Sequence, residues 1–321
     1  MYHTRLLLPV LLLALSVSGQ AIDNTLSYKN INKDQYFRLS YENDYFSAND
    51  YYYTQGIALE LVTPALNKSP LYKILIKPIY GYSRYSLSIE HNVYTPCSIR
   101  SHDIIYGERP FSACIFLKAS RITIDTINKR RLSVSLTTGI IGPAAGAEEL
   151  QAGVHRIMPH NTAPLGWSNQ VQNDVILNYQ VNFEKRLYSY GSFFELSGFC
   201  MARAGTLSDK ITGGIVLQAG HFDSPYRHTK NRRKNFRLYA YEHQQVNVIA
   251  YDATLQGGLF NRKSPYTLGA AEIARGTFQN RYGIVLVYRG IYLEYFQSFI
   301  TSEFRRGRDH RWGGIQIAVG L

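Results

Sequence analysis

The chain has 321 residues with 35 Lys and Arg against 23 Asp and Glu, a formal charge of +12, and its 26 Tyr and 15 Phe far outnumber its 2 Trp. A hydrophobic content of 45% supports a large core, and the length admits one or two domains. The three cysteines, Cys97, Cys114 and Cys200, form at most one bridge within the chain and lack CxxC or zinc spacing, which excludes a disulfide scaffold.

The first residues, MYHTRLLLPVLLLALSVSGQA, place Arg5 before an apolar run from Leu6 to Val17 and end in small residues. This is the pattern of a secretory signal peptide over 1–21, too short for a spanning helix and followed directly by polar chain. From Ile22 onward no run of roughly eighteen apolar residues predicts a transmembrane helix. An exported basic protein meets lipopolysaccharide phosphates and anionic lipid rather than nucleic acid.

Downstream, alternation dominates. In QYFRLSYEND, Phe37, Leu39 and Tyr41 alternate with Tyr36, Arg38, Ser40 and Glu42, the period of a strand with one apolar and one polar face. RYSLSIEH and VILNYQVNFEK repeat the pattern, and TQGIALELV, RLSVSLTTGII, FRLYAYEH, VNVIAYDATL, GIVLVY, IYLEYFQSF and the terminal GGIQIAVGL are further strand-like runs. Many strands of this kind predict a barrel or a sandwich. Charges along the polar face fit a wet or hydrogen-bonded lumen, whereas both inner faces of a sandwich are apolar. The abundant tyrosines favour strands and a membrane interface. The expectation is all-β: one antiparallel transmembrane β-barrel domain over 22–321, located in the bacterial outer membrane, with no repeat, no linker and no signal for assembly beyond a monomer.

One segment breaks the alternation. GPAAGAEELQAGVHRIM (142–158) opens with Gly-Pro, carries acids in its first turns and Arg156 near its end, and predicts a loop helix. Glu148, Gln151 and His155 then share one face. His155 has the chemistry of a general base, although an amphipathic, solvent-facing loop helix explains the same spacing. In SYENDYFSANDYYYTQG (40–56), Asn43 and Asp44 offer the oxygen donors Ca²⁺ prefers, without the spacing of an EF-hand, and a polar loop between strands explains them equally. Strand parity sets Asn43 on the outer face, with Glu42 and Asp44 in the lumen phase, while Asp50 falls in the turn. No GxSxG elbow, HExxH helix or Walker loop occurs. The tract RHTKNRRKNFR (227–237) is either a phosphate-gathering surface or a solvated basic loop.

Taken together, ENDYFSANDYYYTQG, VYTP, GERPFSA, GIIGPAAGAEELQAGVHRI, GWSNQVQND and TSEFRRGRDH resemble, in family order and over nearly the whole chain after residue 40, the lipid A 3'-O-deacylase (LpxR-like) outer-membrane enzymes. The resemblance implies a barrel of about twelve strands with a short helix in an extracellular loop, an active site between the outer wall and that helix, and Ca²⁺-dependent hydrolysis of the 3'-linked acyloxyacyl ester of lipid A. It carries catalytic roles onto Asn43, Asp44, Thr54, Gln151 and His155, with Asn43 and Asp44 as the Ca²⁺ ligands. Where some relatives have a lysine after Y-[ST]-P, the nearest cation here is Arg100, the candidate substrate contact. A non-enzymatic porin or adhesion barrel, or a phospholipase on the same fold, are the competing readings.

Overall fold

The computed structural model describes residues 22–31, 33–47, 51–157, 164–227 and 235–321. The expected leader, Asp50 and residues 228–234 of the basic tract lie outside them.

Twelve strands form one closed antiparallel ring: β1 (Tyr36–Asn43), β2 (Tyr52–Val62), β3 (Tyr82–Thr95), β4 (Ser112–Asp125), β5 (Arg130–Ile141), β6 (Asp174–Tyr190), β7 (Phe194–Gly205), β8 (Ser208–His221), β9 (Phe236–Asp252), β10 (Gly276–Tyr288), β11 (Ile291–Ile300) and β12 (His310–Gly320). Each strand pairs with its sequence neighbours, and β12 closes on β1 with Tyr36 opposite Gly320 and Asn43 opposite Gly313. Closure leaves no sheet edge, the condition for backbone crossing a bilayer as strands. No described helix is long and apolar enough to cross a membrane.

Alternation sorts the side chains as predicted. On β1, Arg38, Ser40 and Glu42 are buried in the lumen while Phe37 and Leu39 remain exposed on the outer wall. Lumen charges are paired: Arg38 with Glu60 at 3.5 Å, Lys118 with Glu90 at 2.5 Å, and Arg281 with Glu42 at 3.1 Å. Such pairing is what a buried charge requires. The runs FRLYAYEH and VNVIAYDATL are one strand, β9, whose end passes into a short helix, Ala253–Gln256, with the Asp252 side chain accepting from Thr254 N at 2.9 Å. All three cysteines are free.

Segment 22–31 enters the lumen and plugs it. Lys118 Nζ donates to Ile22 O at 2.7 Å, Arg131 to Thr25 O at 2.8 Å, the Tyr239 hydroxyl to Tyr28 O at 2.6 Å and Arg38 to Lys29 O at 2.8 Å. The Tyr28 ring stacks on Tyr241 with centroids 3.9 Å apart. A backbone without sheet partners is thus satisfied by three cations and a tyrosine hydroxyl of the wall. A cavity of only about 40 Å³ separates plug and wall, between Asp23, Arg203, Lys210 and His243.

The two rims differ. The connections 96–111, 142–173, 253–275 and 301–309 leave one rim, whereas the opposite rim has the short turns 126–129, 191–193 and 289–290, the start of β1, the end of β12 and two longer connections, 63–81, which folds back on the outer wall through Tyr72 and Leu75, and 222–235. Long loops mark the extracellular side of outer-membrane barrels and short turns the periplasmic side. Arg227 and Arg237, which bracket the basic tract, belong to the periplasmic rim, and Arg237 is buried. That rim is remote from the outer leaflet, so the phosphate-gathering reading of the tract loses its support.

Candidate functional site

The extracellular end of β1 supplies the first two candidates. Asn43 lies on the outer face as parity predicts, and its Oδ1 accepts the Tyr45 N–H at 2.8 Å, an Asx turn that starts a 3-10 turn over Asp44–Ser47. The turn folds back over the outer wall: the Phe46 ring packs edge-on against Tyr41 and Tyr295, and Gln297 donates to Phe46 O at 3.0 Å while accepting from Ser47 Oγ at 2.6 Å. Asp44 therefore leaves the strand before parity applies to it. It begins this turn with 4% of its surface exposed, so strand alternation does not fix the side it faces.

Thr54 reaches the outer face through a bulge. Tyr53 pairs with Tyr94 and Gln55 with Val93, so Thr54 is an extra residue on β2. Tyr53 points inward, its hydroxyl donating to Asn92 Oδ1 at 3.1 Å, while Thr54 Oγ1 meets Thr95 Oγ1 at 2.8 Å. Asn43 pairs with Gln55, which sets it beside the bulge.

The loop helix lies against the same wall. Gly142, at φ +110°, turns the chain out of β5 in a conformation an L side chain resists, and a Cβ there would stand 2.5 Å from Asn173 N. Residues Pro143–Ala145 form a 3-10 turn and Gly146 is left-handed, so the helix α1 spans Ala147–Ile157 rather than starting at 142, and position 158 lies outside the described residues. Ala145, Ala147, Phe111 and Trp167 pack on Val93 and Ala113, outward-facing residues that are 3% and 0% exposed because the loop covers them. His91, also outward, meets Ala145 O through Nε2 at 3.0 Å.

Gln151 occupies the barrel-facing row of α1. It is buried, and the Trp167 indole N–H donates to its Oε1 at 2.7 Å. Glu148, three residues before Gln151 on the same helix, is exposed at the edge of that face. Position 155 follows Gln151 by one helical turn; the His155 side chain is outside the described atoms. Arg100 is exposed in the connection between β3 and β4, next to Ile99, whose carbonyl accepts from Leu165 N at 2.8 Å. Asn43, Thr54 and Gln151 thus occupy the outer wall at the extracellular rim, linked through β3: Thr95 holds Thr54, and Val93, two residues away on the same face, supports α1.

Several residues that organise this region escape a reading of the motifs alone. Trp167 from GWSNQVQND fixes Gln151, and Thr95 from VYTP fixes Thr54. Arg109 from GERPFSA and Glu303 from TSEFRRGRDH form a buried ion pair, with Arg109 also donating to Thr254 Oγ1 at 2.6 Å and lying 4.3 Å from the Tyr94 ring centroid. These motifs tie loops together over the lumen, and their mixture of charge with small and aromatic residues was the available signal. Burial, with Glu108 beside it, pushes the Cys97 thiol up to about 11, which favours its protonated form.

The donor chemistry near the rim fits a hard cation: the buried Asp44 carboxylate and the Asn43 amide oxygen are oxygen ligands of the kind calcium takes. Among the described residues no group of three or more His, Cys, Asp and Glu converges, so carbonyls and water would complete such a shell.

A barrel similar to this one is LpxR from Salmonella typhimurium, with a TM-score of 0.73 at 19% identity over 89% of this chain and 100% of that one. The beta domain of the Bordetella autotransporter BrkA aligns over 90% of this chain and 100% of its own with a TM-score of 0.45 at 8% identity. No curated protein matches the chain. The family model described as outer membrane protein LpxR matches residues 6–321, and the chain belongs to that outer-membrane family.

Proposed function

We propose that the protein is a calcium-dependent lipid A deacylase that hydrolyses the 3'-linked acyloxyacyl ester in the outer membrane. The observation that carries this reading is directional: Asn43 and Thr54 lie on the bilayer side of the wall, and the loop helix that carries Gln151 packs on the same side through β3 and β4, while the lumen is filled. A substrate with acyl chains in the membrane and a phosphorylated head at the rim reaches such a site sideways. A porin needs an open lumen, and the plug at 22–31 disfavours one. Removal of residues 1–21 as a signal peptide is part of the proposal.

Water attacks an ester slowly because it is a weak nucleophile and the tetrahedral oxyanion is unstable. His155, one turn beyond Gln151, takes the proton of the attacking water and returns it to the leaving alkoxide. The Trp167 indole fixes the carbonyl end of the Gln151 amide, which leaves its NH₂ to orient substrate or water. Thr54, held by Thr95, donates a hydrogen bond near the reacting carbonyl. Asn43 and Asp44 would hold calcium, which when bound supplies positive charge to polarise the ester carbonyl. Arg100, exposed beside the loop, would meet a phosphate of the substrate.

Purified protein incubated separately with lipid A and with phospholipid, with and without Ca²⁺, tests the proposal. Acyl release from lipid A alone, lost on chelation, supports it; release from phospholipid alone makes the enzyme a phospholipase.

A further inference from the structure

The outer wall of β8 to β10 carries a polar cluster where lipid contact calls for apolar side chains. On β9, Tyr241, His243 and Gln245 point into the lumen and are buried, whereas Leu238, Val246 and Val248 point outward and are exposed. Glu242 and Gln244 share the outward phase in the middle of the strand. Across the ladder Gln244 pairs with Asn280 and Glu242 with Tyr282, and Tyr282 and Ile284 are exposed on the same wall. Gln244 Nε2 donates to Glu242 Oε1 at 2.8 Å, and Asn280 Nδ2 donates to the same oxygen at 3.1 Å. A carboxylate and two amides thus sit among lipid-facing residues, above Leu238 and below Val248, where an ionisable group is costly and marks a functional surface.

We propose that this β8–β10 face is the contact surface between two copies of the chain in the outer membrane. Acyl chains offer no hydrogen-bond donor at this depth. A second copy inserted in the same direction does, because a two-fold axis along the membrane normal returns every residue at its own depth. Gln244 is self-complementary: it spends one amide hydrogen on Glu242 and keeps the other, together with a carbonyl oxygen, for the same group of its mate. Both bonds to Glu242 fall on Oε1, so Oε2 is the acceptor for the mate's amides. Shape agrees with charge. Next to the cluster an open groove of about 500 Å³ is lined by Tyr179, Ala202, Ala204, Ile211, Val248 and Ala250. A Cβ added to neighbouring Gly213 would meet nothing within 4 Å, so a second wall can approach closely. In the ring β9 lies opposite β3, and pairing through β9 leaves the side with Asn43, Thr54 and α1 open to the membrane. The sequence alone reads as a monomer because Glu242 and Gln244 acquire their meaning only once they are known to face lipid.

The test is oxidative cross-linking of the full chain in native outer membranes, with Val246→Cys as reporter in a Cys97→Ser, Cys200→Ser background and Ile89→Cys, exposed on the opposite strand β3, as the off-face reporter. The expected product from Val246→Cys has twice the monomer mass, Ile89→Cys yields little, and adding Glu242→Leu lowers the product about tenfold. Heat-modifiable gel mobility verifies that each variant is a folded barrel. Equal product from both reporters, a cross-link to a different protein, or a product that survives Glu242→Leu overturns the proposal. So does a single-copy mass for the wild type extracted directly in bilayer discs.

Discussion

The indole N–H of Trp167 donates to the Gln151 side-chain oxygen at 2.7 Å, and both residues are buried between the loop helix and the outer wall of β3 and β4. The bond fixes which end of the Gln151 amide is available, so a residue outside the expected catalytic set governs one within it.

Replacing Trp167 by Phe keeps an aromatic ring against Phe111 and removes the donor. A buried acceptor left without its partner costs about 1–3 kcal/mol. Deacylation by Trp167→Phe should fall roughly tenfold or more, while the barrel still shows heat-modifiable mobility. Gln151→Ala combined with Trp167→Phe should be little worse than Gln151→Ala alone, and full additivity would show that Trp167 acts elsewhere.

The Thr54 to Thr95 contact at 2.8 Å makes a similar case on β2. Thr54→Val is nearly isosteric and removes the hydroxyl, with an expected loss of about 1–3 kcal/mol where Thr95 is left unsatisfied. A lipid A turnover assay should show a lower rate with an unaltered circular dichroism spectrum. An unchanged rate would assign the pair to wall packing only.

Arg109 and Glu303 bind the loops above the lumen through a buried ion pair. Arg109→Met leaves Glu303 charged and poorly compensated, a change that typically costs about 3–5 kcal/mol. The urea midpoint of unfolding from detergent or lipid should drop for Arg109→Met, and Arg109→Met with Glu303→Leu should recover much of it.

The plug gives a prediction independent of catalysis. Wild-type protein in planar bilayers should show no steady ion conductance, since 22–31 fills the lumen. Truncating that segment deprives Lys118, Arg131 and Arg38 of carbonyl partners at 2.7 to 2.8 Å. The truncated chain should conduct and should unfold at lower denaturant concentration.

Much of this architecture was legible in the sequence because lumen and lipid impose opposite polarities on alternate residues of β1, β3 and β6. Three strands escaped notice. In β4 both faces are buried along much of its length, since outside the loop covers Ala113 and Arg121 donates to Leu75 O and Tyr72 O of the connection 63–81, while inside Lys118 donates to Ile22 O, so its alternation is blurred. β7 and β8 carry glycines and small residues on the outer wall, such as Gly198, Ala202 and Gly213, in place of large apolar ones. At the candidate site, parity placed Asn43 correctly and does not extend to Asp44, which starts a 3-10 turn. The bulge at Thr54 and the tryptophan that holds Gln151 are products of tertiary contact, and no periodicity encodes them.

The most direct measurement is the lipid A mass spectrum of cells producing the protein beside cells producing His155→Ala. The wild type should yield lipid A lighter by one 3'-linked acyloxyacyl group, with chelation preventing the change and His155→Ala abolishing it at equal barrel abundance. Unchanged lipid A in the presence of abundant, folded wild-type protein and calcium would contradict the deacylase assignment.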